Sequence, residues 1–163
     1  MTRGFISIGS NIDRNKNIAA GMEALHQAFG ELIVSSVYET EPVGFSGEPF
    51  YNLVVGFDSV LKAKTIAQQL RQIEFSQGRP LDSKKFTART LDLDLLLFGD
   101  EIINDGSLQI PRVDIEQYAF VLEPLAEIAP LLKHPVLDVS YGQLWTAMPK
   151  DKSLQRRVGK SAL

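Results

Sequence analysis

The sequence predicts an α+β fold with the element order β-α-β-β-α-β, followed by a hairpin and further helices. Three observations carry that prediction. Apolar runs of strand length and alternation occur at residues 4–9, 32–40, 52–60 and 91–98. Two longer stretches, 14–29 and 64–77, repeat their apolar residues at helical spacing. Gly- and Pro-containing segments punctuate the boundaries. Strands and helices in this order close one antiparallel-type sheet around one core. At 163 residues the chain is long enough to bury such a core. We expect one domain over residues 1–150 and a loose basic tail over 151–163, which carries four basic residues and few apolar ones.

The elements follow in chain order. Residues 4–9 alternate sufficiently for a first strand, and Ser10-Asn11-Ile12-Asp13 supplies turn and N-cap chemistry. In the first helix Ile18, Met22, Leu25 and Phe29 share a face, and Gly30 ends it. Residues 32–40 read as one second strand. The segment 41–49 holds two Pro and two Gly and reads as a loop. A Val- and Phe-containing third strand spans 52–60. The second helix places Ile66, Leu70 and Ile73 on one face and stops at Gly78. A polar loop, 79–87, leads to the Leu-rich fourth strand. Asn104-Asp105-Gly106 signals a hairpin turn. Residues 115–128 look helical, with Pro124 dividing them into two short helices. A last short helix is expected over 141–148.

Bulk chemistry excludes several classes. The net charge is −3, from 17 basic and 20 acidic residues, so there is no strong basic field for nucleic acid. There is no cysteine, which removes disulfide and thiol chemistry and is compatible with a reducing cytosol. Phe5, Ile6 and Ile8 form too short a patch for a signal peptide, and no apolar run approaches the ~20 residues that span a bilayer. His26 and His134 are isolated and read as surface or packing residues rather than ligands.

The segment Arg89-Thr90-Leu91-Asp92-Leu93-Asp94-Leu95-Leu96-Leu97-Phe98-Gly99 carries the chemistry. On a strand, residues i and i+2 point the same way, so Asp92 and Asp94 project together while Leu93 and Leu95 face the other side. Adjacent carboxylates on an apolar strand repel and require positive charge. A hard cation with oxygen ligands supplies it, and Mg²⁺ characteristically takes one or two carboxylates plus substrate phosphates. A neighbouring Arg or Lys would also supply it, and a half-buried strand with a solvated face has the same alternation. Arg89 is suited to a phosphate oxygen. There is no GxxxxGK[ST] and no kinase HRD or DFG set, so any nucleotide would be held by acids and loop cations.

With these residues in place, the chain resembles the 6-hydroxymethyl-7,8-dihydropterin pyrophosphokinases of folate biosynthesis. The family signature Arg-x-x-Asp-hydrophobic-Asp reads here Arg89-Thr90-Leu91-Asp92-Leu93-Asp94. Ile8-Gly9-Ser10-Asn11 resembles the first strand and turn, and residues 36–44 the first substrate loop. Phe50-Tyr51-Asn52-Leu53-Val54 is similar to the strand that follows, and Ile73-Glu74-x-x-Gln77-Gly78-Arg79 to the end of the second helix. Together they cover residues 4–135 in collinear order. The resemblance implies a ferredoxin-like core, here a single pterin pyrophosphokinase-like domain. It also implies transfer of diphosphate from ATP to the pterin hydroxymethyl group with release of AMP. Two Mg²⁺ ions would be held by Asp92 and Asp94, with Arg79 and Arg89 as catalytic cations. By the same resemblance Thr40, Pro42, Val43, Phe50, Asn52 and Phe120 take the pterin, the two Phe as a sandwich. Glu74, Arg79, Phe86, Arg89, Leu95, Leu108 and Arg112 take the nucleotide.

Several positions depart from the family. Phe86 stands where the family has Trp, Leu81 replaces a loop Arg, Arg112 a His, Val113 a Tyr and Tyr118 an Arg. Arg112, Lys84, Lys85 and Arg71 are available as substitutes, and Arg is a strong phosphate ligand. The loops 41–49 and 79–87 are expected to act as lids. The implied partners are ATP and a hydroxymethyl pterin, with no nucleic acid and no membrane, in a cytoplasmic monomer. The altered nucleotide side keeps two other readings open: a paralogue for a related pterin, and a non-catalytic pterin- or nucleotide-binding module. A homo-oligomeric regulatory domain is a third, but the conspicuous exposed apolar element it requires is not seen.

Overall fold

The computed structural model describes residues 1–41, 47–77, 90–149 and 155–159. Along the chain run β1 (Thr2–Ser10), α1 (Arg14–Phe29), β2 (Ile33–Val34), β3 (Tyr38–Thr40), β4 (Phe50–Ser59) and α2 (Ala63–Ser76). Then come β5 (Asp92–Phe98), β6 (Ile103–Asn104), β7 (Gln109–Ile110), α3 (Asp114–Gln117), α4 (Ala119–Ile128), α5 (Tyr141–Ala147) and β8 (Gln155–Arg157). The principal sheet is antiparallel in the order β5-β1-β4-β3-β8, with β2 also on β4, and β6-β7 form the expected hairpin. This is the predicted α+β core.

Alternation along the strands divides the core into two apolar clusters. On one face Ile6, Ile8, Leu53, Val55, Phe57, Leu93 and Leu95 meet Ile18 and Leu25 of α1 and Ile66 and Leu70 of α2. On the other, Phe5, Val54 and Leu97 meet Ile115, Val121, Leu122 and Leu125 of α3 and α4, with Tyr141 of α5. Fully burying one such side chain stabilises the fold by about 1.5–3 kcal/mol, so both layers are anchored hydrophobically. Between Phe5 and Ile6 the β1–β5 register slips, leaving Leu96 as an extra residue. Leu96 and Leu97 consequently both join the second cluster.

Four expectations change. Residues 32–40 form two short strands rather than one. Between Val34 and Tyr38 three residues face two on β4, and the Ser36 N–H goes to the Glu127 carboxylate (3.0 Å) instead of the ladder. The break between the two helices falls at Tyr118, whose backbone is extended (φ −123°, ψ 123°), while Pro124 lies inside α4. The tail is not wholly loose, because Gln155–Arg157 pairs with β3 as β8. Asp13 occupies the N-cap of α1, but its side chain caps nothing; its φ of 41° turns the chain instead. Gly30 ends α1 as expected, at φ 79° with its N–H on the His26 carbonyl (2.8 Å).

Candidate active site

β5 is the edge strand on which the two acids sit. Asp92 pairs with Gly9 of β1, Gly9 with Asn52 of β4, and Asn52 with Tyr38 of β3. Residues opposed across strands share a face. Asp92, Gly9, Asn52 and Tyr38 therefore form one row across four strands. Asp94, Ser7 and Val54 form the adjacent row. Asp92 and Asn52 lie two strands apart, about 10 Å. Both acids are partly exposed, as the alternation predicts, and the apolar Leu93 and Leu95 are buried behind them.

Gly9 makes this row possible. A Cβ there would stand 2.8 Å from Asn52 Oδ1, so any larger residue would push the amide from its place across β1. The Asn52 amide is buried and donates to Thr40 Oγ1 (2.7 Å). Phe50 opens β4 opposite Thr40. Phe120, on α4 over the same face, stacks on Tyr118 with ring centroids 4.9 Å apart. Thr40, Asn52 and Phe50, expected for the pterin, thus share the sheet face over which α4 carries Phe120.

Arg112 enters the acid end. Its N–H donates to the carbonyl of the extra residue Leu96 (3.1 Å). Its guanidinium lies 3.2 Å from Asp114 Oδ1 and 3.9 Å from Asp94 Oδ1. Arg112 Nε is buried with no hydrogen-bond partner among the described residues. A cation does stand beside the acid pair, but its closer partner is Asp114, so it neutralises Asp94 only partly. Among the described residues no group of three His, Asp or Glu could cage a metal. Two neighbouring carboxylates are nevertheless the donor set Mg²⁺ uses when substrate phosphates complete its shell.

The expected nucleotide residues are not all gathered with the acids. Glu74 is buried at 2% exposure, and its Oε2 accepts the Leu93 N–H (2.7 Å). Leu93 separates the two acids, so Glu74 grips the backbone that presents them. Leu95 and Leu108 are packed in the apolar cluster under α1 and α2, on the face away from Asp92 and Asp94. Pro42, Val43, Arg79, Leu81, Lys84, Lys85, Phe86 and Arg89 lie outside the described residues.

The turn after β1 has a use that the sequence signal did not reveal. Ser10 Oγ donates to the Thr90 carbonyl (2.6 Å), Asn11 Nδ2 to the Glu48 carbonyl (3.2 Å) and Arg14 to the Pro49 carbonyl (3.0 Å). Arg14 also pairs with Glu39 (2.8 Å) and covers the Tyr51 ring. Polar residues read as turn and N-cap chemistry, together with Arg14, instead tether the end of the 41–49 loop and the chain just after 79–87. A polar turn packed between two long loops was the available clue.

One face of this ferredoxin-like sheet carries two partly exposed acids on its edge strand and the Asn52–Thr40 pair further along the same face, an arrangement suited to a phosphate-handling α+β transferase. The family model described as 7,8-dihydro-6-hydroxymethylpterin-pyrophosphokinase (HPPK) matches residues 5–130. The chain is 36% identical over 133 residues to the Haemophilus influenzae 2-amino-4-hydroxy-6-hydroxymethyldihydropteridine pyrophosphokinase, covering 79% of this chain and 82% of that protein. It is 34% identical over 153 residues to the Bacillus subtilis pyrophosphokinase of the same name, covering 91% of each. Its fold matches the crystal structure of Plasmodium falciparum HPPK-DHPS with pteroate at a TM-score of 0.76 and 14% identity. That match covers 96% of this chain and 47% of the other, so the chain spans about half the length of that solved protein. The chain belongs to the 7,8-dihydro-6-hydroxymethylpterin-pyrophosphokinase family and is a pyrophosphokinase of folate biosynthesis.

Proposed function

We propose that the residues assembled on this sheet face carry out transfer of diphosphate from ATP to the hydroxymethyl oxygen of 6-hydroxymethyl-7,8-dihydropterin. A bond forms between that oxygen and the β-phosphorus of ATP, the bond from the β-phosphorus to the oxygen bridging it to the α-phosphate breaks, the hydroxyl proton is released, and AMP leaves with the bridging oxygen. The observation that carries the reading is the shared row of Asp92, Gly9 and Asn52. It sets the acid pair and the pterin-facing amide on one surface at a separation that accommodates a phosphate chain between them.

In this reading Asp92 and Asp94 hold two Mg²⁺ ions together with ATP. Bound there, the ions supply neutralisation of the phosphate charge, which phosphoryl-type transfer needs more than covalent help from the protein. Arg112, beside Asp94, adds a guanidinium suited to phosphate oxygens in place of the family's His. Glu74 holds the backbone between the acids and acts by positioning. The pterin lies on the Asn52–Thr40 floor, its ring against Phe50 and Phe120, where offset stacking favours a flat heteroaromatic. Arg79 and Arg89 serve as the loop cations, Pro42, Val43 and Phe86 as loop contacts, and Leu95 and Leu108 as apolar backing for the nucleotide end. All of these groups come from one chain, which fits a monomer working in the cytoplasm, where ATP and Mg²⁺ are supplied.

AMP release from Mg²⁺ and ATP, measured with and without 6-hydroxymethyl-7,8-dihydropterin, tests the reading. Pterin-dependent AMP that stops on chelation of Mg²⁺ is the expected result. Pterin binding without any AMP would reduce the chain to a binding module and defeat it.

A further inference from the structure

We propose that Gln155 of β8 is a positioning residue for the pterin subsite, a role that rests on the assignment of Thr40 and Phe120 to that subsite. β8 lies beyond the residues the family model matches. In the β3–β8 register Gln155 stands directly opposite Thr40, so both share the face that carries Asn52 and Phe50. From that face the Gln155 side-chain amide reaches α4, which lies over it. Its Nε2 donates to the Ala119 carbonyl (3.1 Å) and to the Glu123 carboxylate. Ala119 immediately precedes Phe120, and its carbonyl has a second lone pair to spare beyond the helical bond.

The rest of β8 makes the bridge firm. Arg156 pairs with Glu39 (3.1 Å), and the Val158 N–H donates to the Val37 carbonyl (2.8 Å). Arg157 contacts the Tyr38 hydroxyl (3.0 Å) and the Glu127 carboxylate (3.1 Å). Glu127 in turn accepts from the Tyr38 hydroxyl (2.8 Å) and from the N–H and hydroxyl of Ser36. Thr40 and Phe120 lie far apart in sequence, and β8 spans the elements that bear them. A ring sandwich over an amide floor tolerates little relative drift, because affinity depends on contacts being held in place before the ligand arrives. The Gln155 bond fixes the start of α4, and hence Phe120, relative to the strand edge that bears Thr40.

The test measures dissociation constants of 6-hydroxymethyl-7,8-dihydropterin and of a nonhydrolysable ATP analogue with Mg²⁺, for the full chain and its Gln155→Ala, Gln155→Glu and Phe120→Ala variants. Thermal midpoints are recorded alongside. Loss of the Nε2 bonds to Ala119 and Glu123 predicts pterin binding weaker by about 3- to 10-fold in Gln155→Ala, with nucleotide affinity within about twofold. Gln155→Glu should be at least as weak, since a carboxylate cannot donate to the Ala119 carbonyl and faces Glu123. Unchanged pterin affinity in both Gln155 variants overturns the proposal, and so does parallel weakening of both ligands with a lowered midpoint. If Phe120→Ala itself leaves pterin affinity intact, the subsite assignment falls first and the role of Gln155 falls with it.

Discussion

The two faces of the sheet are built from the same strands and do opposite work. Under α1 and α2 the side chains of β1, β4 and β5 are almost uniformly aliphatic or aromatic and fully buried. Under α3, α4 and α5 the same strands contribute an apolar half, around Phe5, Val54 and Leu97, and a polar half containing Asp92, Asp94 and Asn52, with Thr40 of β3 beside it. β5 shows the contrast residue by residue: Leu93 and Leu95 are closed in the core, while Asp92 and Asp94 face out. A sheet whose first face alone supplies a continuous core can leave part of its second face open for chemistry. The cost is that the layer over the second face must be held partly by polar contacts.

The sharpest way to break this comparison is to mutate neighbours in β5. Asp92→Ala or Asp94→Ala should lower turnover by about 100- to 1000-fold, the scale for removing a charge-stabilising group, with an unchanged unfolding midpoint. Leu93→Ala should do the reverse, lowering stability by about 2–5 kcal/mol while the folded fraction keeps substantial turnover. Steady-state AMP release and urea unfolding on the same preparations separate the two. Near-normal rates in either aspartate variant would remove the metal assignment.

Glu74 sharpens the comparison, because it reaches around the sheet edge from the apolar side to the strand that carries the acids. Glu74→Ala leaves the Leu93 N–H unsatisfied in a buried place and should cost about 1–3 kcal/mol. Glu74→Gln keeps an acceptor oxygen for that N–H and should be milder in stability. If Glu74 acts by holding β5, turnover should follow the same order, with Glu74→Gln closer to wild type. Equal collapse of turnover in both variants, at normal stability of Glu74→Gln, would mean that the charge itself is used.

How much of this was legible in the sequence follows the same division. The apolar face was readable from periodicity, because its information lies within each segment: Ile18 and Leu25, or Ile66 and Leu70, announce their helices alone. The position of Asp92 and Asp94 on a common face was readable for the same reason. What could not be read depends on distant partners. The interruption at Ser36 is caused by Glu127, 91 residues away. β8 has no apolar alternation, since Gln155-Arg156-Arg157 is held by main-chain pairing and charge. Helix division at Tyr118 was hidden by the more conspicuous Pro124. Leu95 carries a different lesson. Resemblance assigned it to the nucleotide end, and strand alternation turns its side chain away from Asp94 into the core, so what it offers that end comes from behind the acids.

The smallest expected effect concerns the covering layer of the second face, which should be sensitive to acid where the α1–α2 layer is not. Burial pushes the Glu127 carboxyl up, but hydrogen bonds from Tyr38 and Ser36 and the charge of Arg157 outweigh it, leaving the group below its ordinary 4.5. A depressed carboxyl adds stability that is present above that value and is lost as pH falls through the folded pKa. His134, only 3% exposed between α4 and α5, is held below its ordinary 6.5 by burial, partly offset by Glu116. Its neutral Nδ1 accepts the N–H groups of Val136 and Leu137 (3.1 Å each), and protonation there would set a donor against two donors. A base with a lowered folded pKa binds its proton more readily when unfolded, so its contribution is complete above 6.5 and declines as pH falls below it. Amide exchange should therefore lose protection in α4 and α5 in two stages on acidification, the first below 6.5 and the second below 4.5, while α1 follows only global unfolding. His134→Gln should flatten the first stage and Glu127→Gln the second. Retention of the first stage in His134→Gln would show that another group sets it, and simultaneous loss in α1 and α4 would show that the two layers unfold as one unit.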